Sequence, residues 1–149
     1  MKFDWVPFPK LIGYFFKKII PNNMILPIIQ GKLKGKKWIA SSGNFEYLLG
    51  SFESEKSVLF EKNVSNDDVV YDIGAHVGYF FLFSSFLCGK SGKVIAFEPL
   101  NENIKYLRKH CLINNCLNVE IIEAAVHRKN GISYFKKGNN TSTGKISNS

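Results

Sequence analysis

Apolar positions along this chain gather in short runs whose spacing changes from one stretch to the next. Residues 69–73, VVYDI, are apolar apart from Asp72, and the same compact pattern returns at 93–98, KVIAFE, and at 119–126, VEIIEAAV. Runs of this length, with no alternation of polar positions, are what strands covered on both faces of a parallel sheet look like. The stretch between the first two, 78–88, is apolar nearly all round and predicts a helix buried between the sheet and another layer. The stretch between the second and third, 101–114, is amphipathic. Ile104, Leu107 and Cys111 share one helical face, Lys105, Arg108 and Lys109 face out, and Asn114-Asn115 supplies the stop. Strand, helix, strand, helix, strand predicts an α/β fold with three parallel strands.

Before this unit the pattern is less regular. Residues 10–20 read as an amphipathic helix ended by Pro21. Residues 25–42 read as one or two short strands around the glycines at 31 and 35, with Trp38 a core anchor, and 54–62 as a helix. Asn66-Asp67-Asp68 is turn chemistry leading into the first buried strand. After the third strand, 132–135 predicts a short strand, and the polar, glycine-containing remainder a loop or frayed tail. The chain therefore divides into an N-terminal helix and hairpin extension, 1–64, and a sheet-forming unit, 65–149.

With 149 residues, 45% of them hydrophobic and 14% aromatic, the chain is one globular domain's worth and not a disordered segment. Its net charge of +8 is unevenly placed, since residues 1–40 hold eight lysines against Asp4 alone. A basic segment can attract nucleic acid, anionic lipid or an acidic substrate. No nucleic-acid-binding module is legible, so no nucleic-acid partner is expected and a solvated basic face is the reading. The opening 20 residues have the lysines and aromatics of a membrane-surface helix, but an ordinary docking helix needs the same residues and is favoured. Two prolines, the Lys17-Lys18 pair and the lack of a small-residue cleavage site argue against a signal peptide, and the block is too short and charged to span a bilayer.

Cys88, Cys111 and Cys116 have neither zinc-ligand spacing nor paired histidines, which predicts no metal site and no disulfide framework, and a reducing, cytoplasmic setting. His76, His110 and His127 are each without a carboxylate partner at a readable spacing and read as surface residues. No triad can be assembled.

The chemistry concentrates at the end of the first buried strand. There the chain runs D-x-G-x-x-x-G, with Asp72 at the entrance, Gly74 and Ala75 in the turn and Gly78 opening the next helix. Gly74 permits a turn that a side chain would obstruct, and Gly78 lets the helix lie close to the sheet or to a ligand. A dinucleotide loop has the spacing G-x-G-x-x-G and presents its helix N-terminus to pyrophosphate. A carboxylate at the entrance repels phosphate and suits a ligand bearing an ammonium and a sulfonium, which describes S-adenosylmethionine (SAM). Glu98, followed by Pro99, closes the second strand 26 positions beyond Asp72, near the spacing at which a doubly wound fold places an acid on the ribose hydroxyls. The competing reading of Glu98 is an acid at the N-terminus of the helix over 101–114.

The blocks DIGAHVG, IAFEPLNENIKYL and EAAV, in this order and spacing, closely resemble the FkbM family of SAM-dependent methyltransferases. The likeness runs from about Gly31 to the end of the chain. It implies a Rossmann-like class I methyltransferase fold, SAM as cofactor and methyl transfer to an oxygen of a small molecule or glycan. It also places Glu123 and Ala124 where such enzymes contact adenine. The piece GSFE at 50–53 resembles a family element from which Glu53 would approach the cofactor's amino group, although a helix-capping or surface acid is the default for that residue.

The resemblance also implies an incomplete sheet. The three strands correspond to the first three of seven, in the spatial order 3-2-1, and the family's Lys-x-Asp-x-Glu-Gly strand is absent. Ligands of such sheets bind where the strand order reverses, so the chain is expected to be the N-terminal part of a methyltransferase and inactive by itself. The alternative is a non-catalytic nucleotide-binding or interaction module. Only the segment near Ile132 is available to pair with the free edge of the first strand.

Overall fold

The computed structural model describes residues 20–147 apart from Asn22, so the helix expected over 10–20 lies, but for its last residue, outside the described residues. The chain opens with an antiparallel hairpin, β1 (Ile25–Pro27) and β2 (Lys37–Ile39), in which Ile25 faces Ile39 and Leu26 faces Trp38. A short helix that the sequence pattern did not announce, α1 (Phe45–Leu49), ends at Gly50 in the left-handed region, where the Gly50 N–H closes onto the Glu46 and Tyr47 carbonyls. It is followed by α2 (Ser54–Asn63).

The central unit is the expected one. Strands β3 (Val69–Ile73), β4 (Lys93–Phe97) and β5 (Val119–Ile122) form a parallel sheet in the order β3-β4-β5, connected through α3 (Tyr79–Cys88) and α4 (Asn101–Ile113). The register pairs Val69 with Lys93 and Ile73 with Phe97, then Val94 with Val119 and Phe97 with Ile122. This is the three-stranded parallel α/β half-sheet that the sequence pattern predicts.

The core lies on one face of that sheet. Val70, Val94, Ala96, Val119 and Ile121 point toward α3 and α4 and join Phe81, Leu82, Phe83 and Leu107. Each fully buried aromatic or aliphatic side chain there contributes about 1.5–3 kcal/mol. Side chains alternate along a strand, so Val69, Tyr71 and Ile73 point the other way, and they stay 57, 62 and 65% exposed. Parallel sheets are normally covered on both faces. The described residues cover one.

The hairpin is fastened to the helix layer by two side chains, His110 of α4 and Asn114 at its C-cap. Asn114 exchanges hydrogen bonds with the Lys37 backbone, its Oδ1 accepting from the Lys37 N–H and its Nδ2 donating to the Lys37 carbonyl, both at 2.8 Å. His110, expected at the surface, is fully buried. Its Nδ1 meets the Val77 carbonyl at 2.8 Å and its Nε2 accepts from the Ile39 N–H at 3.1 Å. Those partners fix the neutral tautomer with the proton on Nδ1, and burial pushes the imidazole pKa down to about 4. Two backbone partners, the buried Ser42 hydroxyl 3.4 Å from Nε2 and the Trp38 ring stacked on the imidazole make it a core residue, which spacing alone did not reveal.

Two further expectations are corrected. The third strand stops at Ile122 and not at 126, because β4 offers its last rung there, the Glu98 N–H donating to the Ile122 carbonyl at 3.1 Å. The polar tail is a hairpin, β6 (Tyr134–Lys137) with β7 (Gly144–Ser147), in which Phe135 faces Ile146. Its turn is closed by the Gly138 N–H on the Thr143 carbonyl at 2.8 Å, and Asn140 Oδ1 accepts from the Ser142 N–H at 2.9 Å. The segment near Ile132 thus leads into a separate two-stranded sheet and leaves the outer edge of β3 unpaired by the described residues.

Candidate cofactor site

The turn that follows β3 is held against the end of β4. The Gly74 and Ala75 N–H groups both donate to the Phe97 carbonyl, at 2.9 and 3.0 Å, and the Gly78 N–H donates to the Ala75 carbonyl at 2.9 Å. Gly74, at φ +82°, has open space where a Cβ would stand. Gly78, at φ +98°, has none: a Cβ there would collide with the Phe81 ring and Leu107. The close approach that Gly78 makes in the structure is to side chains of α3 and α4, a neighbour that the sequence reading, with sheet or ligand as its choices, did not name. Ala75 is buried in the core.

Glu98 sits beneath this turn, 4% exposed. Its Oε2 accepts from the His76 N–H at 2.8 Å, and its Oε1 from the Leu100 N–H at 2.9 Å and Asn103 Nδ2 at 3.1 Å. The carboxylate thus ties the glycine turn to the first turn of α4, where negative charge also meets the helix dipole. Three charge-assisted bonds of this kind explain how an acid at a strand end is kept in place.

Asp72 is the other acid of the site and is held differently. Its Oδ2 is buried with no hydrogen-bond partner among the described residues, and burial, with the Glu98 charge adding to it, pushes its pKa up to about 6. A buried acceptor without a donor is costly unless something outside the protein completes it.

A strap lies over the turn. His76 adopts φ +52°, and its Nε2 is 3.1 Å from Thr141 Oγ1 and 3.3 Å from Ser142 Oγ in the β6–β7 turn. Asn103 Nδ2 donates to the Thr141 carbonyl at 2.9 Å, and Lys137 pairs with Glu102 at 2.7 Å. His76, Asn103 and Thr141 were not picked out from the sequence. Only the position of His76 between the two loop glycines could have drawn attention to it.

On the far side of β4, Phe97, Pro99, Glu123, Ala124 and the β6–β7 hairpin line a cleft of about 770 Å³. Pro99, Glu123 and Ala124 thus share one wall, while Asp72 and Gly74 lie at the turn, joined to the cleft through the Phe97 carbonyl. Glu123 is exposed and accepts from Arg108. Glu53 stands at the N-cap position of α2, where its side chain makes no capping hydrogen bond and instead pairs with Lys56 at 2.9 Å, as a surface acid would.

The FkbM methyltransferase domain matches residues 72–149, just over half of the sequence, and the chain belongs to that family. The match begins at Asp72, so the likeness expected from about Gly31 is carried by the sheet unit. Among solved structures, the chain is similar to a SAM-dependent methyltransferase from Aquifex aeolicus at 26% identity, with a TM-score of 0.46 over 56% of this chain and 43% of that one. It is also similar to a SAM-dependent O-methyltransferase from Thermotoga maritima at 18% identity, with a TM-score of 0.46 over 69% and 41% of the two chains. Fibrillarin from Aeropyrum pernix, solved with natively bound SAM, is 16% identical, with a TM-score of 0.39 over 48% and 32%. The chain spans less than half the length of each. No curated protein matches it.

Proposed function

We propose that this chain provides the cofactor-binding part of a SAM-dependent methyltransferase that acts on an oxygen of a small molecule or glycan. The observation that carries the cofactor reading is the unpartnered, buried Asp72 Oδ2 at the entrance of the glycine turn. A cationic ligand supplies the missing donor and favours the ionised carboxylate, whereas a pyrophosphate would bring two more negative charges beside Asp72 and Glu98. The open space at Gly74 accommodates close approach of a ligand to the backbone. The residues present therefore fit the group.

When bound, SAM supplies a methyl group on a sulfonium, and in-line transfer from it asks mostly for positioning and exclusion of water. In this reading Asp72 meets the ligand's positive charge, Glu98 holds the turn and presents its carboxylate toward the ribose, and Pro99, Glu123 and Ala124 wall the adenine. The acceptor class rests on the family alone. Because the described residues build only one side of the crevice, the isolated chain binds without turning over.

Calorimetric titration with SAM and, separately, NAD tests the reading. SAM should bind at a pH above about 6 and more weakly well below it, as Asp72 takes up its proton. Preference for NAD would overturn the argument from Asp72. Binding of neither would favour the non-catalytic module.

A further inference from the structure

Helix α4 ends in a turn that folds its last residues back on themselves. Asn115, at φ +54°, is in the left-handed region. The Cys116 N–H donates to the Cys111 carbonyl at 3.0 Å and the Asn115 N–H to the Leu112 carbonyl at 3.1 Å. This pair of bonds, six residues closing on the first and five on the second, is the Schellman arrangement, in which the side chains at the two ends of the turn meet. Here both ends are cysteines. The Cys111 thiol donates across the turn to the Cys116 carbonyl oxygen at 3.2 Å, which holds the two residues together. Both are free and half-buried, while Cys88 is fully buried.

The surroundings of the pair suit reactivity. Cys111 and Cys116 line a surface depression of about 340 Å³ beside Arg108, and Cys116 also lines a second, of about 510 Å³, with Lys36 and Lys90. The neighbouring Cys111 thiol, with smaller help from Ser85 and the Lys36 ammonium, lowers the Cys116 thiol pKa against the opposing effect of its burial. A thiolate among cations, open to solvent and beside a second thiol, is the environment of an oxidisable cysteine with a resolving partner.

We propose that Cys111 and Cys116 form a redox-active dithiol that a hydroperoxide converts to an intramolecular disulfide. The Cys116 thiolate attacks the peroxide oxygen: an S–O bond forms, the O–O bond breaks, and the leaving hydroxide or alkoxide takes a proton from water. The Cys111 sulfur then displaces the sulfenic oxygen. An S–S bond forms, the S–O bond breaks, and water departs with the Cys111 proton. The two thiols lose two electrons and the hydroperoxide gains them. The disulfide would staple the end of α4 to the start of β5, and a small dithiol would reverse it.

Exposure of the folded chain to hydrogen peroxide, followed by denaturing alkylation and intact-mass analysis, tests this. The expected product is a monomer lighter by two hydrogens, with Cys88 alone alkylated and both other thiols restored by dithiothreitol. With dimedone present, Cys111→Ser should trap an adduct at Cys116, and Cys116→Ser should label far less at Cys111. Three alkylatable thiols after exposure, cross-linked dimers in place of the internal disulfide, or equal labelling of the two variants would overturn the proposal. The first arm uses the unaltered protein, so a variant that fails to fold does not rescue it.

Discussion

Trp38 and His110 stack with ring centroids 3.8 Å apart and planes 14° from parallel, so the N-terminal hairpin rests on an imidazole that must stay neutral. In the native state His110 refuses a proton until about pH 4, whereas an unfolded histidine accepts one near 6.5. Its contribution is therefore complete above about 6.5 and is lost as pH falls through that window. Asp72 acts with the opposite sign. Its folded carboxyl keeps its proton up to about pH 6, against 3.8 when unperturbed, so native stability falls as pH rises between those values.

The two slopes oppose each other between about pH 4 and 6, and variant-minus-wild-type stability from urea unfolding across that range separates them. His110→Phe keeps a ring on Trp38 and removes the histidine term, so its stability relative to wild type should fall as pH rises through the window. The reason is that the wild-type gain from His110 is missing. Asp72→Asn should rise relative to wild type over the same range. Each difference should reach up to about 3 kcal/mol, the free energy of a shift of roughly two pH units. Flat difference curves for both would show that neither group is buried as described.

The loop glycines should separate in mutagenesis. Gly78→Ala drives a Cβ into Phe81 and Leu107 at a positive φ and should cost about 2–4 kcal/mol. Gly74→Ala meets open space and incurs only backbone strain, about 1 kcal/mol. Thermal melts give the stabilities. If Gly74 lies under a ligand, Gly74→Ala should weaken SAM binding far more than its small stability loss explains. A Gly74 variant less stable than the Gly78 variant would contradict the geometry.

Much of this was legible from local pattern. The strands 69–73 and 93–97 and the α4 stripe of Ile104 and Leu107 follow from spacing alone, because period and burial are coupled along one element, although the cover expected on both faces of 69–73 is present on one face only among the described residues. What the sequence hid depends on contacts across it. His110 looks like a surface residue until Val77 and Ile39, 33 and 71 positions away, supply its partners. The residues after 135 read as a loop or frayed tail until Phe135 and Ile146 pair across a polar turn. Likewise, one reading of Glu98 placed it on a ligand and the other on a helix N-terminus. Its bonds to the His76 and Leu100 N–H groups supply the second, and the first remains the proposal that SAM titration tests.

The strap over the glycine turn gives a third test. His76 and Asn103 are the side chains that bond the residues at its tip, Thr141 and Ser142. His76→Ala should free the tip while leaving the sheet intact, and limited proteolysis should then cut within 138–143 several-fold faster, with an unchanged melting temperature. This follows because local opening of a hairpin turn sets its cleavage rate. An unaltered rate would mean that Asn103 and Lys137 suffice to hold the turn.

The open face of the sheet gives the last. Tyr71 and Ile73 stand on the side of β3 that the described residues leave uncovered, and β3 is also an edge strand. Exposed apolar side chains beside unpaired strand backbone favour association between chains. Tyr71→Glu places an acid diagonally from Lys93, and Ile73→Lys places a cation on the same face, so neither buries a charge. The double variant should change unfolding stability by less than about 1 kcal/mol, as surface substitutions do, while lowering the light scattering of a concentrated solution. Val94→Lys supplies the contrast: Val94 is fully buried on the opposite face, and a lysine there should unfold the chain. If the double variant unfolds the chain as Val94→Lys does, the face at Tyr71 and Ile73 is covered after all. If it folds but scatters as wild type does, self-association does not run through this face.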